Sequence, residues 1–442
     1  MTAVAALPVR LPALPRRPSW LVAATVASVA IPAGTRAVGS GTQVTPADAA
    51  TACLVAVAAF LLVTGRAELP RRALPAFGPL VAGLGISTVC SADTASSLPG
   101  FVRDAQIFVL VPLAVVVLVR DRRDFAIVCG SVLGLGLAEA AFGIWQALTE
   151  HGAAMSGRNI RAVGTFGAAD VMAMSVVVGI AFLVLTALAL AAPGRGVAAV
   201  LGALAGLGVL GAALAFSLSR GTWVALGAAA VLVLVVFDRW TAAKVLACCA
   251  ALLVVTVAGA GGGAQAVVDR SRSLAGTVGA PDRSVDDRYH LWSAALRIWE
   301  DHPGTGVGVK NFPAYRDAYA GIELSSGSET SDPVHGYARQ PLLSPHNEYL
   351  LFLSEQGVFG FAGLAALAAA LAAGLWARRR VRDPFWLAGV ALLTFLLVNF
   401  LYADLGGPTC ALTAVVLGVV ASRSLGNVRD FGRPRHSREV RA

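Results

Sequence analysis

Residues 171–191 read VMAMSVVVGIAFLVLTALALA, a run that contains no charged side chain. About 20 consecutive apolar residues are enough for an α-helix to cross the hydrocarbon core of a bilayer. The rest of the chain has the same character, because 57% of its 442 residues are hydrophobic and only 14% are charged. In a soluble domain about a quarter of the residues are charged. The sequence therefore predicts an all-α integral membrane protein.

Similar apolar runs recur along the chain, and polar gaps separate them. We interpret twelve of them as transmembrane helices, about nine in residues 1–263 and about three in residues 349–422. Between the two groups lies one large polar loop with short helices, residues 264–348, and the chain ends in a basic tail, residues 423–442. The predicted spans are 20–35, 47–64, 74–90, 101–119, 125–148, 171–191, 197–217, 222–237, 242–263, 350–376, 385–403 and 408–422.

Most of the 35 basic residues lie in alternate gaps between these spans. Cytoplasmic loops of membrane proteins carry the excess of Lys and Arg. Both termini are therefore predicted to be cytoplasmic, and the large loop extracytoplasmic, in a multi-pass protein of the plasma membrane. The net charge of +9 then faces anionic lipid headgroups. It predicts membrane lipids as partners and does not require nucleic acid.

Arg220 lies in a turn of a few residues, SLSRGTW (217–223), between two apolar runs. A charge near membrane depth usually faces the protein interior or an aqueous cavity, so Arg220 is a candidate for binding an anionic substrate. Gly221 beside it allows another group to approach the backbone closely, and Trp223 is typical of the aromatic belt at a membrane surface. Alternatively, the Arg220 side chain extends to the lipid headgroups.

The large loop contains the sequence RYHLWSAALRIW (288–299), with apolar side chains at helical spacing. This spacing predicts an amphipathic helix from Asp287 to Asp301, for which Asp286 and Asp287 are candidate N-caps. Arg288 at its head is either a substrate ligand or a solvated residue of the first turn. The sequence HPGTGVG (302–308) ends the helix, because Pro and repeated Gly indicate a tight turn.

His346 follows Pro345 and stands directly before an apolar run. Histidine exchanges a proton near neutral pH more readily than other side chains and is the most frequent general base. We interpret His346 as a general base at the rim of a cavity, with Asn347 orienting its ring. The alternative is a residue at a helix start that makes a local hydrogen bond.

Together these motifs resemble those of the O-antigen ligase and O-antigen polymerase superfamily of bacterial membrane glycosyltransferases. The resemblance covers the predicted topology of the whole chain, and its motifs lie in residues 161–223 and 288–363. Where the family often has Asn-Pro-Asn, this chain has Ala168, Ala169 and Asp170. The matching residues are Arg161, Gly164 and Phe166; Ser219 to Trp223; Arg288, Trp292 and Ala295; His302 to Gly308, with Asn311 and Phe312; His346 to Leu350; and Glu355, Gly357 and Gly360.

The resemblance implies that a glycan moves from a polyprenyl-diphosphate donor to an acceptor hydroxyl on the extracytoplasmic face. It implies that Arg220 and Arg288 hold the diphosphate and that His346 activates the acceptor. The predicted partners are the lipid-linked glycan donor and a glycan or lipid acceptor, and no further cofactor is expected. Substrate contacts are assigned to Arg161, Trp223, Asn347 and Tyr349.

The predicted enzyme is metal-independent, because its first outer loop, residues 35–46, contains no carboxylate. Many other polyprenyl-sugar transferases have an acidic pair in this loop. Three alternatives stay open: a polymerase of the same superfamily, a polysaccharide or small-molecule transporter, and an assembly protein without chemistry. Transporters usually have two related halves with broken helices in matching places, and this sequence has no such repeat.

Overall fold

The computed structural model of the protein describes residues 17–32, 37–38, 42–43, 45–155, 158–167, 170–191, 196–258, 283–324, 328–332, 336–340, 342–380, 383–407 and 409–426. Helices dominate this part of the chain. The helices are α1 (Ser19–Ser28), α2 (Pro46–Val63), α3 (Ala73–Val89), α4 (Thr94–Ala105), α5 (Val111–Leu118), α6 (Arg122–Leu148), α7 (Ala173–Leu190), α8 (Val197–Phe216), α9 (Arg220–Phe237), α10 (Arg239–Ala258), α11 (Arg283–Asp301), α12 (Phe312–Tyr319), α13 (Glu348–Ala377), α14 (Pro384–Asn399) and α15 (Thr409–Leu425). The strands are β1 (Ala37–Val38), β2 (Thr42–Gln43), β3 (Ala153–Met155), β4 (Arg158–Arg161), β5 (Ser328–Asp332) and β6 (Gly336–Gln340).

Each predicted apolar span contains a helix. The fourth span consists of α4, a π-helical turn (Gln106–Leu110) and α5, which continue as one helix from Thr94 to Leu118. Among the described residues, seven helices are long and apolar enough to cross a membrane, and α1, α3, α14 and α15 are shorter apolar helices. The prediction of a mostly helical, multi-pass membrane protein is confirmed. The number of twelve spans, the orientation and the division into domains stay predictions.

Glycines allow α3 and α13 to pack closely. A Cβ added at Gly83 would lie 2.6 Å from the carbonyl oxygen of Phe359, and one added at Gly363 would lie 2.6 Å from Cα of Leu80. Small residues let helix backbones approach each other in membranes, where van der Waals packing is a main driving force for association. These contacts therefore fix α13, which begins two residues after His346, against the N-terminal half of the chain.

Three ion pairs lie at one end of the bundle. Arg17 before α1 lies 3.1 Å from Asp121 and 3.2 Å from Asp124 at the start of α6. At the end of α15, Arg423 lies 2.7 Å from Asp383, the residue before α14. The gaps at this end are the Arg-rich ones that the sequence assigns to the cytoplasm. The helices α7, α9 and α13 begin at the opposite end.

A small sheet at this opposite end was not predicted from the sequence. Its strands are antiparallel in the order β4-β3-β5-β6, and Ala154 of β3 pairs with Ser331 of β5. The sheet therefore joins the loop before α7 to the large loop. Its strands are three to five residues long, and β5 (SETSD) has no apolar residue, so it lacks the apolar and polar alternation that identifies a strand in sequence.

The amphipathic helix of the large loop, α11, is present and begins earlier than predicted. It starts at Arg283, so Asp286 lies in its first turn, and the prediction of Asp286 or Asp287 as N-cap is wrong. The apolar face of α11 contributes Leu291 and Ile298 to a small core beneath the loop. Arg288 consequently lies in the second turn of a packed helix. Residues 264–282 of the predicted loop and 427–442 of the predicted tail lie outside the described residues.

The glycine-rich turn after α11 is anchored on α13. The N–H groups of Val307 and Gly308 donate to the carbonyl oxygens of Ser354 (3.1 Å) and Glu355 (2.8 Å). These acceptors belong to a break in α13 at Gly357, where φ is +61°. A Cβ at Gly357 would lie 2.2 Å from the carbonyl oxygen of Gly304, so the turn needs glycine there. The large loop therefore docks on the membrane helices through backbone hydrogen bonds.

Candidate active site

Two of the three predicted catalytic residues contact one short segment between α14 and α15, residues 400–405. Nη1 of Arg288 donates a hydrogen bond of 3.0 Å to the carbonyl oxygen of Tyr402, and its Nη2 lies 3.9 Å from Sδ of Met172. Nδ1 of His346 lies 3.2 Å from Oδ1 of Asp404. The 400–405 segment thereby brings together Arg288 from the large loop and His346 from the start of α13.

Arg220 lies beside the 400–405 segment, because the next residue, Gly221, packs against Tyr402. Arg220 is the first residue of α9, and a Cβ added at Gly221 would lie 2.9 Å from Cβ of Tyr402. Arg220 is therefore one residue away from the contact of α9 with Tyr402. The N-terminus of a helix carries a partial positive charge, so the first turn of α9 adds to the positive potential of the two arginines.

Arg161 stabilises the turn that precedes Arg220. The Arg161 side chain is buried, and its Nη2 donates a hydrogen bond of 2.6 Å to the carbonyl oxygen of Leu218. Leu218 has a φ of +51°, a left-handed conformation that is unfavourable for a bulky residue. The N–H of Ala162 also donates to the carbonyl oxygen of Phe216, at 3.1 Å. The structure thus gives Arg161 a supporting role, and its predicted substrate contact stays a prediction.

The side chains of three further predicted substrate ligands bind the protein itself. Oδ1 of Asn347 accepts from the N–H groups of Tyr349 and Leu350 and caps α13, and the orientation of His346 by Asn347 stays a prediction. The hydroxyl of Tyr349 donates to the carbonyl oxygen of Leu397 at 2.7 Å. Nε1 of Trp223 donates to the carbonyl oxygen of Leu214 at 2.7 Å. These bonds give the three side chains structural roles, and their substrate contacts stay predictions.

Asp404 is the residue that orients His346, and sequence reasoning missed it. Burial raises the pKa of Asp404, but the hydrogen bond and charge of His346 outweigh this effect and leave the pKa below its usual value. An ionised carboxylate beside a histidine fixes the ring and stabilises its protonated form. The only signal in the sequence was an acidic residue in the short gap between the last two spans.

Asp170 is a second acidic residue of the site, at the position where the sequence departs from the family pattern. Burial raises the pKa of Asp170 to about 6, and the negative charge of Asp404 acts in the same direction. A Cβ added at Gly407 would lie 2.6 Å from Oδ2 of Asp170. The site therefore combines arginines with a histidine and two carboxyl groups. Among the described residues no cluster of three His, Cys, Asp or Glu has the geometry of a metal site, and metal independence stays a prediction.

Replacing Gly221 by alanine (Gly221→Ala) is expected to lower activity about tenfold or more, since small misplacements in an active site have effects of this size. The added methyl group would displace Tyr402, whose carbonyl oxygen holds Arg288. Gly227→Ala in the same helix is the control, because a Cβ there meets nothing within 4 Å. Initial rates of the glycan transfer that the sequence predicts compare the two variants. Equal, unimpaired rates would contradict the proposed contact of α9 with the 400–405 segment.

The comparison with known families agrees with this geometry. Residues 205–365 match the model of a family described as O-antigen ligase. The matched segment contains Arg220, Arg288 and His346. This match of one segment supports the resemblance to the O-antigen ligase and polymerase superfamily that the motifs predict. Among curated proteins, none matches the chain.

Proposed function

We propose that this protein is a glycosyltransferase of the plasma membrane that moves a glycan from a polyprenyl-diphosphate donor to an acceptor hydroxyl on the extracytoplasmic face. The observation that carries the proposal is the convergence of Arg288, Tyr402, Asp404 and His346 within hydrogen-bond distance, beside the first turn of α9. The family match supports the same chemistry.

Arg220 and Arg288 bind the diphosphate of the donor in this proposal. When the bond between the anomeric carbon and the phosphate oxygen breaks, the electron pair leaves with the diphosphate, and negative charge develops there. Guanidinium groups stay charged and can donate two parallel hydrogen bonds to phosphate oxygens. Donors held in place before the reaction stabilise such charge strongly. The hydrogen bond from Arg288 to Tyr402 holds its guanidinium in place.

His346 acts as the general base for the acceptor. With Nδ1 facing Asp404, its Nε2 takes the proton of the acceptor hydroxyl while the hydroxyl oxygen forms the new bond to the anomeric carbon. The imidazolium that results is stabilised by Asp404, 3.2 Å away. The proton then passes to water or to the departing diphosphate. No step requires ATP, because the donor bond that breaks supplies the free energy.

Activity is expected to rise with pH through about 6. Below this pH the carboxyl group of Asp170, whose pKa burial raises to about 6, is protonated and neutral. Above it the carboxylate adds a second negative charge that favours the imidazolium of His346. In a plot of log kcat/KM against pH, the acid limb then contains a step from Asp170.

Asp170→Asn removes this step, so the acid limb is expected to become shallower than in the wild type. At pH 7.5, where Asp170 is ionised, the variant is expected to be slower by about tenfold, the effect of roughly 1.4 kcal/mol. An Asp170→Asn profile that superimposes on that of the wild type would show that Asp170 does not act on His346.

The decisive experiment is transfer in vitro with purified protein and a defined polyprenyl-diphosphate glycan. Mass spectrometry of the product identifies the acceptor. A second lipid-linked glycan as the acceptor indicates a polymerase, and any other acceptor indicates a ligase. The same assay with EDTA tests metal independence, which predicts that the rate does not change. Counterflow of glycan into liposomes without any transfer product would instead indicate a transporter.

A further inference from the structure

Glu348 binds both ends of the 400–405 segment. Its backbone N–H donates a hydrogen bond of 2.9 Å to the carbonyl oxygen of Phe400. Its side-chain Oε2 accepts one of 2.8 Å from the N–H of Leu405. The side chain is buried, although burying a carboxyl group is unfavourable unless it is hydrogen-bonded. A buried carboxyl group directed at a backbone N–H of this segment therefore needs an explanation.

The two halves of the 400–405 segment are held differently. The N–H groups of Tyr402 and Ala403 both donate to the carbonyl oxygen of Asn399, at 2.9 Å, so the first half continues from the end of α14. The second half contains Asp404 and Leu405, and there Glu348 supplies the acceptor for the Leu405 N–H. Loss of that acceptor would release the half that carries Asp404.

The position of Glu348 in the chain couples this contact to the site. It follows His346 by two residues and begins α13. The same short stretch of chain therefore contains His346, which contacts Asp404, and Glu348, which binds Leu405 next to Asp404. Tyr402, which accepts from Arg288, lies between the two attachment points.

We propose that Glu348 is a positioning residue that holds the 400–405 segment so that Asp404 meets His346 and Tyr402 meets Arg288. The inference rests on the proposed function, which assigns roles to His346 and Arg288. Glu348 itself needs only an acceptor oxygen for this task. The oxygen of a glutamine can replace it, whereas alanine cannot.

Hydrogen exchange of the purified protein tests the positioning without an activity assay. In Glu348→Ala the amides of residues 400–405 are expected to exchange faster than in the wild type, and in Glu348→Gln they are expected to exchange at nearly the wild-type rate. Glu348→Asp, whose carboxylate is one methylene shorter, is expected to give intermediate exchange if Glu348→Ala does not fold. Unchanged exchange at residues 400–405 in both Glu348→Ala and Glu348→Asp would overturn the proposal.

Glu355→Ala is the matched control, because Glu355 is a second buried carboxyl group of α13. Its oxygens accept from the N–H groups of Lys310 (2.8 Å) and Phe312 (2.9 Å). This variant is expected to speed exchange near residues 310–312 and to leave residues 400–405 unchanged. Faster exchange at 400–405 in Glu355→Ala as well would mean that loss of any buried carboxyl group loosens the segment.

Kinetics of transfer test whether the positioning matters for the reaction. Glu348→Ala is expected to lower kcat by about 10- to 100-fold, as small misplacements in active sites do, and Glu348→Gln to restore most of it. In the His346→Ala background, Glu348→Ala should cost less than in the wild type, because the part of its effect that acts through Asp404 and His346 is already lost. Fully additive losses, or a Glu348→Gln variant as slow as Glu348→Ala, would overturn the proposal. If the wild type makes no product, the proposed function is wrong. If residues 400–405 still exchange faster in Glu348→Ala than in Glu348→Gln, Glu348 nevertheless holds the 400–405 segment in place.

Discussion

Replacing His346 by alanine is expected to lower the kcat of glycan transfer by about 10²–10⁴-fold, the usual contribution of a general base. The variant loses the group that takes the acceptor proton, while Asp404, Arg288 and the helices remain. The donor KM is expected to change little, because the ring acts on the acceptor. The rate of product formation from a defined lipid-linked glycan, measured at saturating donor, checks this expectation.

His290→Ala is the matched control for this prediction. His290 lies on α11 in the same large loop, and its Nε2 is 3.6 Å from Asp286 in the preceding turn. It has no part in the proposed reaction, so its loss is expected to leave kcat within about twofold, as is usual for a surface substitution. Added imidazole is expected to restore part of the His346→Ala activity. A His346→Ala protein with wild-type kcat would exclude His346 as the base.

Replacing Arg288 or Arg220 by lysine is expected to lower kcat by about 10²–10³-fold, the effect of removing one preorganised donor to a developing charge. Lysine keeps the positive charge. Its ammonium group, however, cannot donate two parallel hydrogen bonds to phosphate oxygens. In Arg288→Lys the hydrogen bond that joins Nη1 to the carbonyl oxygen of Tyr402 also changes, so the charge loses its fixed position.

Arg297→Lys provides a close control, because Arg297 lies on the same helix and also donates to the carbonyl oxygen of a tyrosine. Its Nη1 lies 3.3 Å from the oxygen of Tyr319, on the exposed surface. We expect this variant to keep wild-type kinetics. If Arg288→Lys and Arg220→Lys were as active as Arg297→Lys, positive charge alone would suffice, and the proposed diphosphate geometry would be wrong.

The helices were largely predictable because each follows from a local property of the chain. An apolar run long enough to cross a membrane forms a helix in which the backbone satisfies its own hydrogen bonds. The predicted span 197–217 is found as Val197–Phe216, and 385–403 as Pro384–Asn399. The start of α11 was four residues off, because the polar residues before Asp287 carry no apolar pattern.

The small sheet was not predictable in the same way. Its strands β3 and β5 belong to two different loops, and β5 is the polar sequence SETSD. Pairing between such segments is made by backbone groups that every residue has. The sequence therefore contains little information about which segment pairs with which.

The sequence by itself determined that this protein is a bundle of membrane helices and that Arg220, Arg288 and His346 are its candidates for chemistry. Apolar run length was sufficient for the helices, and the resemblance of the motifs to a known family selected the three residues. Only the tertiary structure decided that Arg288 and His346 meet at the 400–405 segment, beside the first turn of α9, with partners 114 positions from Arg288 and 58 from His346. The physical reason is the kind of contact. Arg288 binds a carbonyl oxygen, α9 approaches Tyr402 through a glycine, and Glu348 binds a backbone N–H. None of these partners depends on a side chain that a sequence motif could identify.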